Sequence, residues 1–104
     1  MTDFQNQGQN QSDPGLLLMI SLASGPKHGH AMLLDVEHFA GTRLGPGTLY
    51  GALSRLEQEG KVEALPAEGR RRPYKLTPVG RDSLNERLAS LRRALETGVA
   101  RMNA

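Results

Sequence analysis

Apolar side chains recur near the C-terminus of the chain at the spacing of a helix that pairs with another helix. Successive positions are four, three, four and seven residues apart, at Leu84, Leu88, Leu91, Leu95 and Met102. This is the a/d spacing of a heptad repeat, and Gly98 occupies the one position of that seam without a side chain. Thr77-Pro78, a capping residue followed by proline, marks where the helix begins. We therefore predict a C-terminal dimerisation helix over residues 78–104.

A segment near the other end of the chain is apolar on nearly every side. Asp13-Pro14 predicts a helix start and Gly25-Pro26 a stop, which gives a helix over about residues 14–23. Its apolar residues are Leu16, Leu17, Leu18, Met19, Ile20 and Leu22. A helix that is apolar all round must be buried all round, and a chain of 104 residues has a small core. We therefore expect burial against a second subunit, through Leu16, Leu17 and Ile20.

Two further helices are expected between these segments, joined by a short link that starts at Gly41. The first covers about residues 28–40 and carries an apolar stripe at Met32, Val36 and Phe39. The second covers about residues 46–59, and its apolar stripe consists of Leu49, Ala52, Leu53 and Leu56. Two amphipathic helices joined by a tight link are typical of a helix-turn-helix.

The periodicity then changes from that of a helix to that of a strand. Polar and apolar residues alternate over 61–65 and again over 70–76, which predicts a β-hairpin. Pro73 cannot donate a ladder hydrogen bond, so we expect a free edge there. The order of three helices, a hairpin and a long helix predicts a mainly α fold with a small β-hairpin, a winged helix-turn-helix over residues 14–77.

Charge is distributed unevenly along the chain. Residues 1–13 are rich in Gln and Asn, carry two Asp and no Lys or Arg, and are expected to form a disordered polar tail. The remaining residues hold all 13 basic side chains and a net charge of +4. Four of those cations, Arg70, Arg71, Arg72 and Lys75, fall within six residues of the hairpin. Such a cluster can pair with the phosphates of DNA, although a solvated charge run on an ordinary hairpin is the alternative.

Several classes of function are disfavoured by what the sequence lacks. The absence of cysteine excludes disulfides, thiolate catalysis and Cys-based zinc sites. The longest strongly apolar run is five residues, too short for a membrane helix, so we expect a cytoplasmic protein. His28 and His30 would point about 200° apart on a helix and could not share a metal ion. We expect no cofactor and no enzymatic activity.

Four stretches of this sequence together resemble the PadR family of bacterial transcriptional regulators. They are Gly25-Pro26-Lys27-His28-Gly29, Leu44-Gly45-Pro46-Gly47-Thr48-Leu49-Tyr50, Leu53-Ser54-Arg55-Leu56-Glu57-Gln58-Glu59-Gly60 and Tyr74-Lys75-Leu76-Thr77-Pro78-Val79-Gly80. The resemblance covers about residues 14–102, and the single C-terminal helix is similar to that of the small subfamily. It implies a homodimeric winged-helix repressor, with the first and last helices at the dimer interface, that binds an inverted-repeat operator in double-stranded DNA.

The same resemblance implies which side chains face DNA. On the third helix they are Gly47, Thr48, Tyr50, Gly51, Ser54 and Arg55. Lys27 and His28 would face phosphates, and Arg70, Arg71 and Arg72 would reach the DNA backbone or minor groove from the wing. For Tyr50 the alternative is a half-buried core residue whose hydroxyl lies at the surface. The resemblance also implies release by a small lipophilic or aromatic effector at the dimer interface, and the sequence leaves open whether this chain has one.

Two other functions remain as alternatives to DNA binding. A winged helix can serve as a protein–protein module without binding DNA, and a net charge of +2 is modest for a DNA-binding protein. That alternative would lack one continuous positive surface across the third helix and the wing. A small enzyme is the least favoured reading, because no catalytic set of residues emerges.

Overall fold

The computed structural model describes residues 13–104, so the polar tail predicted over residues 1–13 lies, except for Asp13, outside the described residues. Its elements in chain order are α1 Pro14–Leu22, β1 Lys27–His28, α2 Gly29–Ala40, α3 Pro46–Gln58, β2 Val62–Ala64, β3 Pro73–Leu76 and α4 Pro78–Met102. The predicted fold class is confirmed, with four helices and a small antiparallel sheet in the part of the chain that the structure describes. The helix boundaries agree with the sequence prediction to within one residue at each end, except that α4 ends at Met102 rather than at residue 104.

Helix α1 begins at the predicted cap and forms the centre of the core. The Asp13 carboxylate accepts hydrogen bonds from the backbone N–H groups of Gly15 (2.9 Å) and Leu16 (3.3 Å), and Pro14 follows at the first helical position. The helix packs against α2, α3, α4 and β3, and Leu16 and Leu17 are each only 6% exposed. Its apolar circumference is thus covered almost entirely by its own chain, and a second subunit is not needed to explain it. Ile20 is partly buried against the same core.

Helices α2 and α3 cover α1 with their apolar sides. Met32 and Val36 of α2 are fully buried, as are the leucines on the inner side of α3. Phe39, which was expected on the core side of α2, is instead 42% exposed. It lies in the last turn of its helix, next to Ala40 and the left-handed Gly41, where the chain already turns away from the core.

The sheet has three strands rather than the two of a simple hairpin. The strand order is β1-β3-β2, and both pairs are antiparallel. His28 lies opposite Pro73 and Lys27 opposite Tyr74, so the expectation of a free edge at Pro73 is wrong. The sequence did not reveal β1 because a two-residue strand is too short to show a periodic pattern. The start of α2 is thereby joined to the wing, which is the hairpin formed by β2, β3 and the loop between them.

The turn between β3 and α4 is fixed by close backbone contacts. The Thr77 hydroxyl donates to the carbonyl of Gly60 (2.5 Å) and accepts from the N–H of Gly80 (3.0 Å). The Thr77 N–H donates to the carbonyl of Lys61 (3.1 Å). A Cβ atom on Gly80 would lie 2.0 Å from that same Lys61 oxygen, so only glycine fits. This turn locks the start of α4 onto the C-terminal end of α3.

Beyond this turn α4 leaves the rest of the molecule. Leu84 is the last buried residue, at 4% exposure, and every residue from 85 to 104 is exposed. Helix α4 accounts for the elongated shape of the molecule, which measures 55 × 30 × 25 Å. An ion pair between Arg87 and Asp13 (3.1 Å) joins its first turns to the start of α1.

Candidate nucleic-acid interface

The outer side of α3 is polar, exposed and free of negative charge over its first three turns. Because Leu49, Ala52, Leu53 and Leu56 turn inward, the opposite side of the helix faces solvent. All six predicted DNA-facing residues of α3 are exposed, namely Gly47, Thr48, Tyr50, Gly51, Ser54 and Arg55. The first carboxylate of the helix is Glu57, near its C-terminal end. This surface presents hydroxyls, a phenol and a guanidinium, and it carries no charge that would repel a polyanion.

Two glycines on this side of α3 have no role in the packing of the chain. A Cβ atom at Gly47 or at Gly51 would meet nothing within 4 Å. In the interior of a helix, glycine is less favourable than alanine by about 0.8–1.0 kcal/mol. Gly51 therefore lowers the stability of α3 without serving the core, and it leaves a shallow place where another molecule can approach the helix backbone.

The tip of the wing is a tight turn with two unpaired cations. Glu68 and Arg71 exchange two backbone hydrogen bonds (2.6 and 3.0 Å) across it, and Gly69 adopts a left-handed φ of 64°. Arg72 donates from Nη1 to the carbonyl of Leu65 (2.9 Å), so its guanidinium braces the loop. Within residues 13–104 the guanidinium groups of Arg70 and Arg71 make no hydrogen bond or ion pair, and both side chains are exposed.

Lys27 and His28 form the edge strand of the wing sheet, and both side chains are engaged by contacts within the chain. The Lys27 ammonium donates to the carbonyl of Ser21 and to the hydroxyl of Ser24 (2.8 Å). The His28 imidazole Nε2 lies 2.8 Å from the Glu68 carboxylate at the wing tip. Sequence reasoning missed Glu68, because 40 residues separate it from His28 and no local pattern links them.

A hollow of about 400 Å³ joins α2, α3 and the wing into one surface. Its lining includes His28, Gly29, Tyr50, Arg70, Arg71, Arg72 and Tyr74. Tyr50 is 52% exposed, and its hydroxyl lies so close to Gly29 that a Cβ atom there would be 2.8 Å from the phenol oxygen. Burial, and then the nearby Glu57 carboxylate, raise the pKa of Tyr74 above its ordinary value. Arg55 lies apart from the hollow and lines a separate groove with Asp13 and Arg87.

The predicted dimerisation residues fall into two groups. Leu16, Leu17 and Leu84 are buried in the core of their own chain, and Ile20 is partly buried. By contrast, the heptad residues beyond Leu84 are 42–86% exposed, and they are Leu88, Leu91, Leu95 and Met102. Val99 is also exposed and was missed, because it lies beside the heptad seam rather than on it.

Among residues 13–104 no group of three or more His, Cys, Asp or Glu side chains is arranged to hold a metal ion. In the same part of the chain, no helix combines the length and the apolar character that crossing a membrane requires.

Comparison with known proteins decides the family. Residues 17–86, which run from α1 into the first turns of α4, match the transcriptional regulator PadR-like family. The chain belongs to the PadR-like family of transcriptional regulators. This is a family of transcriptional regulators rather than enzymes, and the chain has the winged-helix fold of its members.

Two curated proteins are similar in sequence to parts of this chain. The chain is 46% identical over 82 residues to an uncharacterised 37.1 kDa protein in transposon TN4556 of Streptomyces fradiae, covering 79% of this chain and 24% of that protein. It is 49% identical over 59 residues to the transcriptional regulator Rv3488 of Mycobacterium tuberculosis, covering 54% and 51%. The matched part thus spans about a quarter and a half of these curated relatives.

A solved PadR-like structure supports the fold. The PadR-like transcriptional regulator BC4206 of Bacillus cereus superimposes with a TM-score of 0.79 over 93% of this chain and 98% of its own. The two sequences are only 18% identical, so this likeness concerns the arrangement of helices and strands.

Proposed function

We propose that the protein binds double-stranded DNA sequence-specifically, with α3 in the major groove and the wing on the adjacent backbone. The observation that carries this proposal is the carboxylate-free outer side of α3 next to the unpaired Arg70 and Arg71. An α-helix fits the major groove, where each base pair offers a distinct pattern of donors and acceptors. The wing cations would pair with phosphates and release counterions, which gives affinity for any sequence.

The exposed residues of α3 and of the wing differ in the kind of DNA contact that their chemistry allows. The hydroxyls of Thr48 and Ser54 can donate to or accept from base edges, so they would carry sequence preference. Gly47 and Gly51 would let the helix backbone approach the floor of the groove. Arg70 and Arg71 would contribute positioning without sequence information.

We further propose that the protein acts as a homodimer held together by α4. Residues 13–84 leave the part of α4 beyond Leu84 uncovered, and an isolated helix of this length is only marginally stable in water. Its exposed apolar residues lie at heptad spacing, which suits a second copy of the same helix. Two copies would present two α3 helices to an inverted repeat, with half-sites about 34–36 Å apart.

The regulatory outcome that we propose is repression, relieved by a small lipophilic or aromatic effector. A shallow apolar groove of about 390 Å³ lies on α4 between Leu95 and Asn103, on the surface assigned to the dimer. A ligand there would release DNA only by binding one arrangement of the dimer better than another. A promoter-fused reporter would distinguish repression from activation. Ligand screening by thermal shift, followed by DNA release, would test the effector.

The central experiment titrates the protein against duplex DNA from the promoter of its own gene, at increasing NaCl. We expect binding that weakens steeply with salt, since each phosphate contact contributes a slope of about 0.9 to log K against log[salt]. Thr48→Val and Ser54→Ala should change the ranking of operator variants, whereas Arg70→Ala/Arg71→Ala should weaken binding to all of them alike. Binding that is absent at low salt, or insensitive to salt, would overturn the proposal.

The dimer is tested separately, by sedimentation equilibrium in the absence of DNA. We expect twice the chain mass of 11.3 kDa at micromolar concentration. A stable monomer at such concentrations would refute the α4 pairing and leave DNA binding by a single head to be judged by the titration.

A further inference from the structure

Three consecutive residues that lead from α1 into the first position of α2 each contact a different element of the molecule. They are Lys27, His28 and Gly29, called the junction below. In the strand register, Lys27 lies opposite Tyr74 and His28 opposite Pro73, so the junction is also the edge strand of the wing sheet and the start of α2. This short segment thus connects α3 and the wing, the two elements that the proposed function places against DNA.

Lys27 anchors the junction to α1. Its ammonium group donates to the carbonyl of Ser21, near the end of α1, and to the hydroxyl of Ser24 (2.8 Å). The Ser21 hydroxyl, itself buried, donates to the Asp35 carboxylate of α2 (2.7 Å). The Lys27 ammonium therefore pairs with a carbonyl oxygen at the end of α1. It does so beside the Ser21–Asp35 hydrogen bond, which joins α1 to α2.

His28 anchors the junction to the tip of the wing. Its Nε2 lies 2.8 Å from the Glu68 carboxylate, and Glu68 is also the residue whose backbone closes the turn with Arg71. Glu68 is the one carboxylate between Leu65 and Leu76, in a loop otherwise made for a polyanion. A carboxylate at the wing tip weakens the attraction of this loop to DNA. Its contact with His28 is a structural reason for its presence there.

Gly29 anchors the junction to α3. A Cβ atom at this position would lie 2.8 Å from the Tyr50 hydroxyl, closer than real contacts of this kind, and a tight 3.1 Å from the Leu49 Cδ2 atom. The absence of a side chain at Gly29 lets the phenol of Tyr50 rest on the start of α2. Tyr50 is also near Tyr74 of the wing, because the two rings line the same hollow.

We propose that Lys27, His28 and Gly29 are positioning residues that set the distance and angle between α3 and the wing, and that neither cation of the junction contacts DNA phosphate. The proposal rests on the DNA binding proposed above. It replaces the expectation from family resemblance that Lys27 and His28 face phosphates. In this arrangement the contact between His28 and Glu68 keeps Arg70 and Arg71 next to the DNA phosphates while α3 lies in the major groove.

The salt dependence of binding separates positioning residues from phosphate contacts. With the promoter duplex as probe, Arg70→Ala should weaken binding and reduce the salt slope by about 0.9, because one phosphate contact is lost. Lys27→Met and His28→Gln should weaken binding by about tenfold, the size of one lost specific contact, with an unchanged slope. A slope reduced by about 0.9 in Lys27→Met or His28→Gln would overturn the proposal.

Glu68 gives a test in which the two explanations predict opposite signs. If Glu68 holds the wing, Glu68→Ala weakens DNA binding although it removes a negative charge from the DNA-facing side. Glu63→Ala, on the neighbouring strand of the wing, removes a carboxylate that contacts Lys75 (3.7 Å) and serves as the matched control. Tighter binding by Glu68→Ala as well as by Glu63→Ala would contradict the proposed role of Glu68.

Gly29 is tested by rescue. Gly29→Ala should weaken binding by about tenfold in the wild type, and much less when both proteins compared carry Tyr50→Phe, which lacks the oxygen nearest to the new methyl group. Thermal unfolding of each variant shows whether the fold is retained. Equal effects of Gly29→Ala with and without Tyr50→Phe would refute the contact. If the wild-type protein binds no DNA, the proposed function fails and the junction with it; if it binds and the variants behave as phosphate contacts, only the junction fails.

Discussion

Apolar side chains are buried in the winged-helix part of the molecule and exposed on the projecting part of α4. From Asp13 to Leu84, helices and strands cover one another, and even the all-apolar α1 is buried by its own chain. From residue 85 onward every side chain is exposed, the leucines included. The apolar surface of the first part is covered within a single chain, whereas that of the second is left open among residues 13–104, which is why we propose that it pairs with a second copy. Similar apolar content thus forms a core in one place and a proposed interface in the other.

The largest expected effect tests the claim that the winged-helix part is closely braced. Gly80→Ala would place a methyl group 2.0 Å from the Lys61 carbonyl oxygen, and the turn cannot relax without losing the Thr77 hydrogen bonds. We expect a loss of about 3 kcal/mol in the free energy of unfolding, measured by urea denaturation. Gly98→Ala on α4 is the matched control, because its Cβ meets nothing within 4 Å. Similar losses in both variants would erase the contrast between the two regions.

The next effect concerns α4. Leu91→Asp would bury a carboxylate in the proposed seam between two helices, so the dimer should weaken by about 100-fold. Sedimentation equilibrium measures this directly, and the far-UV spectrum should show partial loss of helix as α4 loses its cover. Leu18→Ala, in the core of the winged-helix part, should instead lower stability at any protein concentration. A Leu91→Asp protein that remained fully dimeric would place the interface elsewhere.

A smaller effect separates stability from DNA binding within α3. Gly51→Ala should raise the free energy of unfolding by about 0.5–1 kcal/mol, because alanine favours the helix and its methyl group meets nothing in the chain. The same methyl group should obstruct the approach to DNA and weaken binding in the promoter titration. An improvement in both properties would mean that this side of α3 is not the contact surface.

The smallest effect is a difference at alkaline pH. Burial raises the pKa of Tyr74, so the folded state favours the neutral phenol. This contribution to stability is fully present below the pKa that Tyr74 has in the unfolded chain. It is lost as the pH rises through the higher pKa of the folded state. Tyr74→Phe should therefore lose less stability than the wild type between neutral and strongly alkaline pH, as measured by thermal unfolding. Identical pH profiles would indicate that Tyr74 is freely solvated.

Most of the fold could be predicted from the sequence because helices leave periodic patterns and capped ends. Asp13-Pro14 and Thr77-Pro78 marked two helix starts that the structure confirms. The contacts that could not be predicted join residues far apart in the chain, such as His28 with Glu68 and Gly29 with Tyr50. Strand β1 was missed for a related reason, since its two residues are defined by their pairing with β3 and not by their own pattern.

The burial of α1 shows the limit of composition as evidence. Its leucines correctly predicted complete burial, but composition carries no information about which surface provides it. Phe39 is the converse case, because its spacing matched the core side of α2 and the chain turned away at Gly41. Both outcomes depend on the path of the chain between elements, which local pattern does not encode.

The turn at Thr77–Gly80 makes α4 a lever. Residues 85–102 extend about 27 Å beyond the last buried side chain, and one turn sets their direction. A tilt of about 10° there would move the tip by roughly 5 Å, which exceeds the rise of about 3.4 Å between neighbouring base pairs. If two copies pair as proposed, the operator spacing that they can bridge is governed by a few backbone atoms around Lys61 and Gly80, far from any base they would help to read.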